Sequence, residues 1–123
     1  MTKKTNILWL EKPEAHDYAA AFSYLTLLYK EETAAIKVKK LKKAKISQFK
    51  SKDIFRASGL SLLGVSNSHV LQDKKKISSG IKLSPVLLVR DTKNSKVIIA
   101  DGYHRMCAVY SYDEDAVIPC KII

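Results

Sequence analysis

Two hydrophobic rhythms divide this chain. In the first half, apolar residues recur at helical spacing. Tyr18, Phe22, Leu25 and Tyr29 fall on one stripe, while Tyr24, Leu27 and Leu28 occupy neighbouring faces. This predicts a helix that begins at Pro13-Glu14 and runs through Tyr18–Tyr29. Being apolar on most sides, it is expected to be buried or packed against a partner, with its aromatics as core rather than a base-stacking platform. Residues 31–45 continue as a second helix, with Ala34, Val38 and Leu41 on a narrow apolar stripe. Ser51–Gly59 is punctuated as a third, with Ser51 at the N-cap, Asp53 in the first turn and Gly59 as the stop. Gly64 and the Ser66-Asn67-Ser68 cluster mark a loop. A short helix over residues 73–79 follows, capped by Asp73 and ended by Gly80.

Beyond Pro85 the rhythm changes to short apolar runs between turn residues. Val86-Leu87-Leu88-Val89 reads as a strand buried on both faces. Residues 91–96 form a turn, Val97–Ala100 a second strand, Tyr103–Tyr112 a helix and Ala116–Ile123 a last strand. Strand, hairpin, strand, helix, strand makes an α/β (α+β) fold: a small mixed sheet with flanking helices. At 123 residues the chain is one domain, an N-terminal helical part (1–45) joined to a core (46–123).

Charge alters this picture in one place. The formal net charge is +10, which favours anionic partners. Among the 22 basic residues, however, only Arg56, Arg90 and Arg105 are arginine, the residue preferred for bidentate phosphate contacts. The lysines concentrate at Lys37, Lys39, Lys40, Lys42, Lys43 and Lys45. That run is either a solvated helix face or a surface that tracks a nucleic-acid backbone. No apolar run approaches the roughly 18–20 residues that span a bilayer. Ile7–Leu10 is shorter than a secretory h-region, and Glu11 follows it, so a cytoplasmic protein with no membrane partner is expected. Cys107 and Cys120 have no metal-ligand spacing and read as small buried hydrophobes. Three scattered histidines add no zinc pattern, and no metal site is expected.

The stretch that carries candidate chemistry is Val97-Ile98-Ile99-Ala100-Asp101-Gly102-Tyr103-His104-Arg105. A β-branched run meets an Asp-Gly turn, and two basic side chains follow in the first turn of a helix. Cations there oppose the helix dipole, so the arrangement points to an anion. Asp101 leaves two outcomes open. It can cap the helix, neutralise the basic pair and leave no anion site at all, or it can instead orient His104 or Arg105, or approach a magnesium ion carried by a nucleotide. His69, beside Asn67 and Ser68, either reaches the same ligand or is an ordinary surface histidine. His16 is structural or solvated.

From Asp73 onward the order of pieces resembles the ParB/sulfiredoxin superfamily over about the last fifty residues. Asp101-Gly102-Tyr103-His104-Arg105 is similar to the Gly-Gly-Cys-His-Arg turn of sulfiredoxins and, more loosely, to the Gly-Glu-Arg-Arg box of ParB proteins. Val117-Ile118-Pro119-Cys120-Lys121 is similar to the strand that closes the sulfiredoxin domain. The resemblance implies a turn that holds nucleotide phosphates, with ATP or CTP and Mg2+ as the cofactor. Asp101, Gly102, Tyr103, His104 and Arg105, with His69, would then form the binding site. Tyr103 stands where sulfiredoxins have their reacting cysteine, so sulfinic-acid reduction is not implied. Asp101 stands where they have glycine. The chain ends at Ile123, before the helix-turn-helix and dimer domain of partition proteins, so a complete partition protein is not expected.

Three functions follow as expectations. The first is a nucleotide- or phosphate-binding protein, with weak NTP hydrolysis or phosphoryl transfer as its extension and no assignable general base. The second is a DNA- or RNA-binding module or nuclease that uses the Lys37–Lys45 run. The third is a non-enzymatic regulatory protein that binds a protein partner, or a second copy of itself, through the Tyr18–Tyr29 helix.

Overall fold

Pro85 delivers the chain into the middle of a sheet, and the four residues behind it are buried on both sides. The computed structural model describes residues 7–62, 64 and 67–123. The basic N-terminal residues 1–6 and Ser66 of the expected loop lie outside them. The order is α1 (Ala15–Leu25), α2 (Glu31–Lys43), β1 (Ile46–Lys50), α3 (Ser51–Ser58), α4 (Ser68–Ser78), β2 (Val86–Asp91), β3 (Lys96–Asp101), α5 (Tyr103–Tyr112) and β4 (Val117–Ile122). A single 3-10 turn, Thr92–Asn94, joins β2 to β3. The sheet runs β1-β4-β2-β3, with β2 parallel to β4 and the outer pairs antiparallel. It is the mixed α/β architecture expected from the second half of the chain.

Side-chain alternation along β2 builds two cores. Val86 and Leu88 face α3, α4 and α5, where they meet Ile54, Val70, Ile77 and Met106. Leu87 and Val89 face the other way, toward Ala21 and Leu25 of α1 and Ala34, Val38 and Leu41 of α2. The narrow stripe read on α2 is therefore its buried face. Trp9 bridges to Leu83, and Ile7 and Trp9 pack on the first core, so the apolar N-terminal stretch belongs to the fold. No helix among the described residues is long and apolar enough to cross a membrane.

Three expected boundaries shift and one unexpected strand appears, each for a physical reason. α1 stops at Leu25 instead of reaching Tyr29, because the N–H groups of Leu27 and Leu28 bond three residues back and turn the chain toward α2. Leu27 is left 80% exposed, so the helix is not apolar-packed on all sides. The strand β1 had no counterpart in the sequence pattern, since its residues are largely exposed and polar. Ser51 does not cap α3. The carbonyls of Ala116 and Glu114 accept from the N–H groups of Ser51 and Lys52, and the Ser51 hydroxyl is buried without a partner among the described residues. α4 begins at Ser68 rather than Asp73, because the Asn67 carboxamide oxygen accepts from the N–H groups of His69 and Val70. Asp73 therefore lies inside the helix.

Burial of β2 on both faces has a measurable consequence. Leu87→Ala and Leu88→Ala should each lower the unfolding free energy by about 2–5 kcal/mol. Gln48→Ala, on exposed β1, should change it by less than about 0.5 kcal/mol. Urea unfolding checks this, and a strand covered on one face only would show one large loss instead of two.

Candidate functional site

The turn between β3 and α5 works because Gly102 is glycine. Its φ is +107°, and a Cβ there would lie 2.5 Å from Cγ1 of Val86 and 2.8 Å from Nη2 of Arg105. The close approach that Gly102 permits is therefore to the first residue of β2 and to the arginine of its own helix, rather than to a ligand.

Arg105 is held by two carboxylates. Its Nη2 donates to Oδ2 of Asp101 at 2.9 Å, and its Nη1 donates to Oδ1 of Asp17 at 3.3 Å. Of the two outcomes open to Asp101, the structure takes neither in full: the carboxylate does not cap α5, yet it neutralises Arg105. Asp17 had given no functional signal in the sequence. It reaches the site because α1 starts at this end of the sheet, where the Glu14 N–H donates to Oδ2 of Asp17 at 2.8 Å in a capping box. The Glu14-x-x-Asp17 spacing is the clue that would have marked the helix start. Ser84, just before β2, donates to Oε1 of Glu14 at 2.9 Å and ties this corner to the sheet.

The two carboxyls diverge electrostatically. Burial alone would raise Asp17, but the Glu14 N–H, the Arg105 charge and hydrogen bonding to Asp101 outweigh it and hold the group below its ordinary range. Asp101 moves the other way. Burial first, and then the neighbouring Asp17, outweigh Arg105 and push it up to about 6.

His104 faces away from this network. Its ring lies 4.8 Å from that of His69, centroid to centroid, and 5.6 Å from Tyr103. Burial, and then the His69 charge, hold His104 below its ordinary pKa. The basic pair is thus split: Arg105 is neutralised by Asp17 and Asp101, and burial disfavours the charged form of His104. Tyr103 donates its hydroxyl to the Ser61 carbonyl and so ties down the loop after α3. His69 stands in the first turn of α4 rather than in a loop, and it does reach the turn at His104.

These residues line two adjoining clefts. One of about 200 Å³ is polar, bounded by His69, Gln72, Asp73 and Lys76 of α4 and by residues 101–105. The other, of about 420 Å³, shares residues 101–104 and extends over Ala20, Tyr24, Leu60 and Ile99. The first turn of α5 opens between them without a side-chain cap. Nε of Arg105 is a buried donor with no acceptor among the described residues.

No protein-family model, curated protein or solved structure matches the chain. The site is defined by its own geometry.

The other candidates lie apart from it. Lys39, Lys40, Lys42, Lys43 and Lys45 are exposed on and just after α2. Nζ of Lys37 lies 4.7 Å from the Tyr29 ring centroid, and Nζ of Lys42 lies 5.6 Å from that of Tyr18. Cys107 and Cys120 are both buried, and burial pushes Cys120 up to about 11. Glu14, His16 and Asp17 bring donor atoms within 4.8 Å of one another, but Asp17 is already engaged by Arg105 and the Glu14 N–H.

Asp101 makes stability depend on pH. The folded protein keeps a proton on this carboxyl that the unfolded chain releases near its ordinary 3.8. Its contribution is therefore largest at low pH and is lost as pH rises from about 4 through about 6. Asp17 acts in the opposite sense, and only below its ordinary 3.8. Asp101→Asn should remove roughly 1–3 kcal/mol of the decline between pH 4.5 and 7.5, read as the difference between wild-type and variant unfolding curves. Parallel curves across that window would overturn the assignment.

Proposed function

We propose that this chain binds a nucleotide through its phosphates at the open first turn of α5, with Mg2+ accompanying the ligand. The observation that carries this reading is the uncapped turn itself, which presents backbone N–H groups to a polar cleft shared with His69, His104 and Lys76. Asp73 and Asp101 line the same cleft, so a bare phosphate meets carboxylates, whereas a phosphate carrying Mg2+ meets oxygen ligands that suit the ion. The adjoining cleft, with Tyr24 and Tyr103 on its walls, is placed to take the base and sugar. Resemblance of the strand–turn–helix to the ParB/sulfiredoxin superfamily supports the same reading. Arg105 acts in it as a positioning residue, since both of its terminal nitrogens are already engaged. Binding is the activity proposed; hydrolysis is left out of it, because none of His69, His104 and Asp73 around the cleft is assigned as a general base.

Calorimetric titration with ATP and with CTP, each with Mg2+, tests this. A dissociation constant below about 1 mM is expected for one of them. Affinity should rise as pH falls from about 7.5 to 6, because a bound anion favours protonated His104. His104→Ala should weaken binding about tenfold, which corresponds to about 1.4 kcal/mol. Absence of binding at millimolar concentration for both nucleotides at pH 6 would reject the reading.

A second reading is favoured by Lys39, Lys40, Lys43 and Lys45, which are exposed and have no carboxylate within 4.0 Å among the described residues. On this reading α2 tracks a nucleic-acid backbone. Affinity for duplex DNA or RNA would then fall steeply with salt. Charge reversal at Lys39, Lys40, Lys42 and Lys43 would abolish it, and unchanged binding by that variant would rule this surface out.

A further inference from the structure

Among the described residues, the outer edge of β3 has no neighbouring strand. β2 pairs with one side of the strand, and among the described residues no backbone group of Lys96–Asp101 bonds to anything on the other. In an antiparallel ladder every second residue points both its N–H and its C=O away from the paired strand. On most edges such groups meet water. Here Ile98 is only 8% exposed, Ile99 6% and Ala100 4%. These edge groups therefore face a narrow cleft rather than open solvent. The other edge of the sheet, β1, is exposed along nearly its whole length.

The shelter comes from two walls. Tyr24 and Leu28 flank β3 on one side, and Ser58 and Leu60 on the other, around a cleft of about 390 Å³ that follows Lys96–Ile99. The cleft beside the α5 turn continues this line past Ala100, sharing Tyr24, Leu60 and Ile99. Tyr24, Leu28 and Leu60 make the walls mainly apolar, with Ser58 among them, and the floor is the edge of β3, whose outward backbone groups have no partner among the described residues. Lys93 and Lys96 stand at the end of the cleft where β3 begins, beside Asp91, whose carboxylate accepts from Asn94 and lies beyond 4.0 Å of either lysine, so that end carries two cations against one anion.

We propose that this groove takes an extended segment of a partner protein as a fifth strand on β3, with acidic side chains at its Lys93–Lys96 end. Only an extended backbone supplies alternating donors and acceptors at this spacing while presenting apolar side chains to Tyr24, Leu28 and Leu60. The lysines select acidic residues at one end, and the +10 charge of the chain steers an acidic partner toward it. A second copy is a poorer occupant. Its own β3 is recessed between the same walls, and two chains of that charge repel each other.

The test is amide hydrogen exchange of the full chain, with and without a short blocked peptide that alternates threonine and valine and ends in a glutamate pair. Antiparallel addition places those glutamates beside Lys96. Protection of about tenfold or more, confined to alternate amides of Lys96–Asp101, is expected at about 1 mM peptide. The same peptide N-methylated on alternate residues should give none. The surface double variant Lys93→Glu, Lys96→Glu should weaken binding about tenfold. Unchanged β3 exchange at that concentration would overturn the proposal, as would equal binding of the N-methylated peptide. Concentration-dependent protection of β3 without any peptide would assign the edge to a second copy and overturn it as well.

Discussion

The contact on which this structure turns is the guanidinium of Arg105 between Asp17 and Asp101. It joins elements that the sheet otherwise keeps apart, because α1 covers one face of the sheet and α5 the other. Asp17 is 2% exposed at its side chain and Arg105 15%, so neither charge is solvated well enough to stand alone. Removing one partner of such a buried pair typically costs about 3–5 kcal/mol, because the other is stranded. The geometry also explains the glycine. Nη2 of Arg105 occupies the space that a Cβ on residue 102 would need, so Gly102 and Arg105 are a matched pair. Replacing the glycine forces the arginine out of its seat before any question of a ligand arises.

That contact decides what chemistry is left at the turn. An arginine in the first turn of a helix, read alone, looks like a phosphate clamp. Here its charge is spent on holding the corner together, and the groups that remain are softer: backbone N–H groups without a cap, a pair of histidine rings and one lysine. Burial first, and then His69, hold His104 below its ordinary pKa, so its ring takes on charge less readily than a free imidazole. What the turn presents is therefore preorganised donors rather than standing positive charge.

Legibility in the sequence followed the range of the interactions. The helix Tyr103–Tyr112 was placed to the residue, and β2 was read as buried on both faces. The cues there are local: Pro85, β-branched runs and an Asp-Gly turn. The stripe Ala34, Val38, Leu41 was equally plain, since helical period alone reveals it. The start of α4 was misplaced because Ser66-Asn67-Ser68 carries both a loop signature and a cap. The strand β1 was invisible, as a largely exposed strand leaves no hydrophobic alternation to read. Asp17 was the costliest omission. It meets Arg105 across 88 residues of sequence, and no periodicity encodes a contact of that range. Without Asp17, His104 and Arg105 look like two free cations; with it, one of them is already paired.

The distribution of charge carries the last step. Although the chain is strongly basic, its lysines are not gathered at the α5 turn. Lys40, Lys42 and Lys43 stand in the last turn of α2, where cations complement the helix dipole. The Nζ of Lys121 donates to the Lys42 carbonyl at 2.8 Å and closes that helix end. At the turn itself Asp17, Asp73 and Asp101 stand against Arg105 and Lys76, with the Asp101 carboxyl poised near neutrality. A cleft so balanced has little electrostatic reason to hold a bare anion. An anion that brings its own cation is different, because the carboxylates then face the metal while the helix N–H groups face the phosphate. Long-range charge and local charge are thus separate in this molecule: the exterior of α2 is lysine-rich, while the turn is close to balanced.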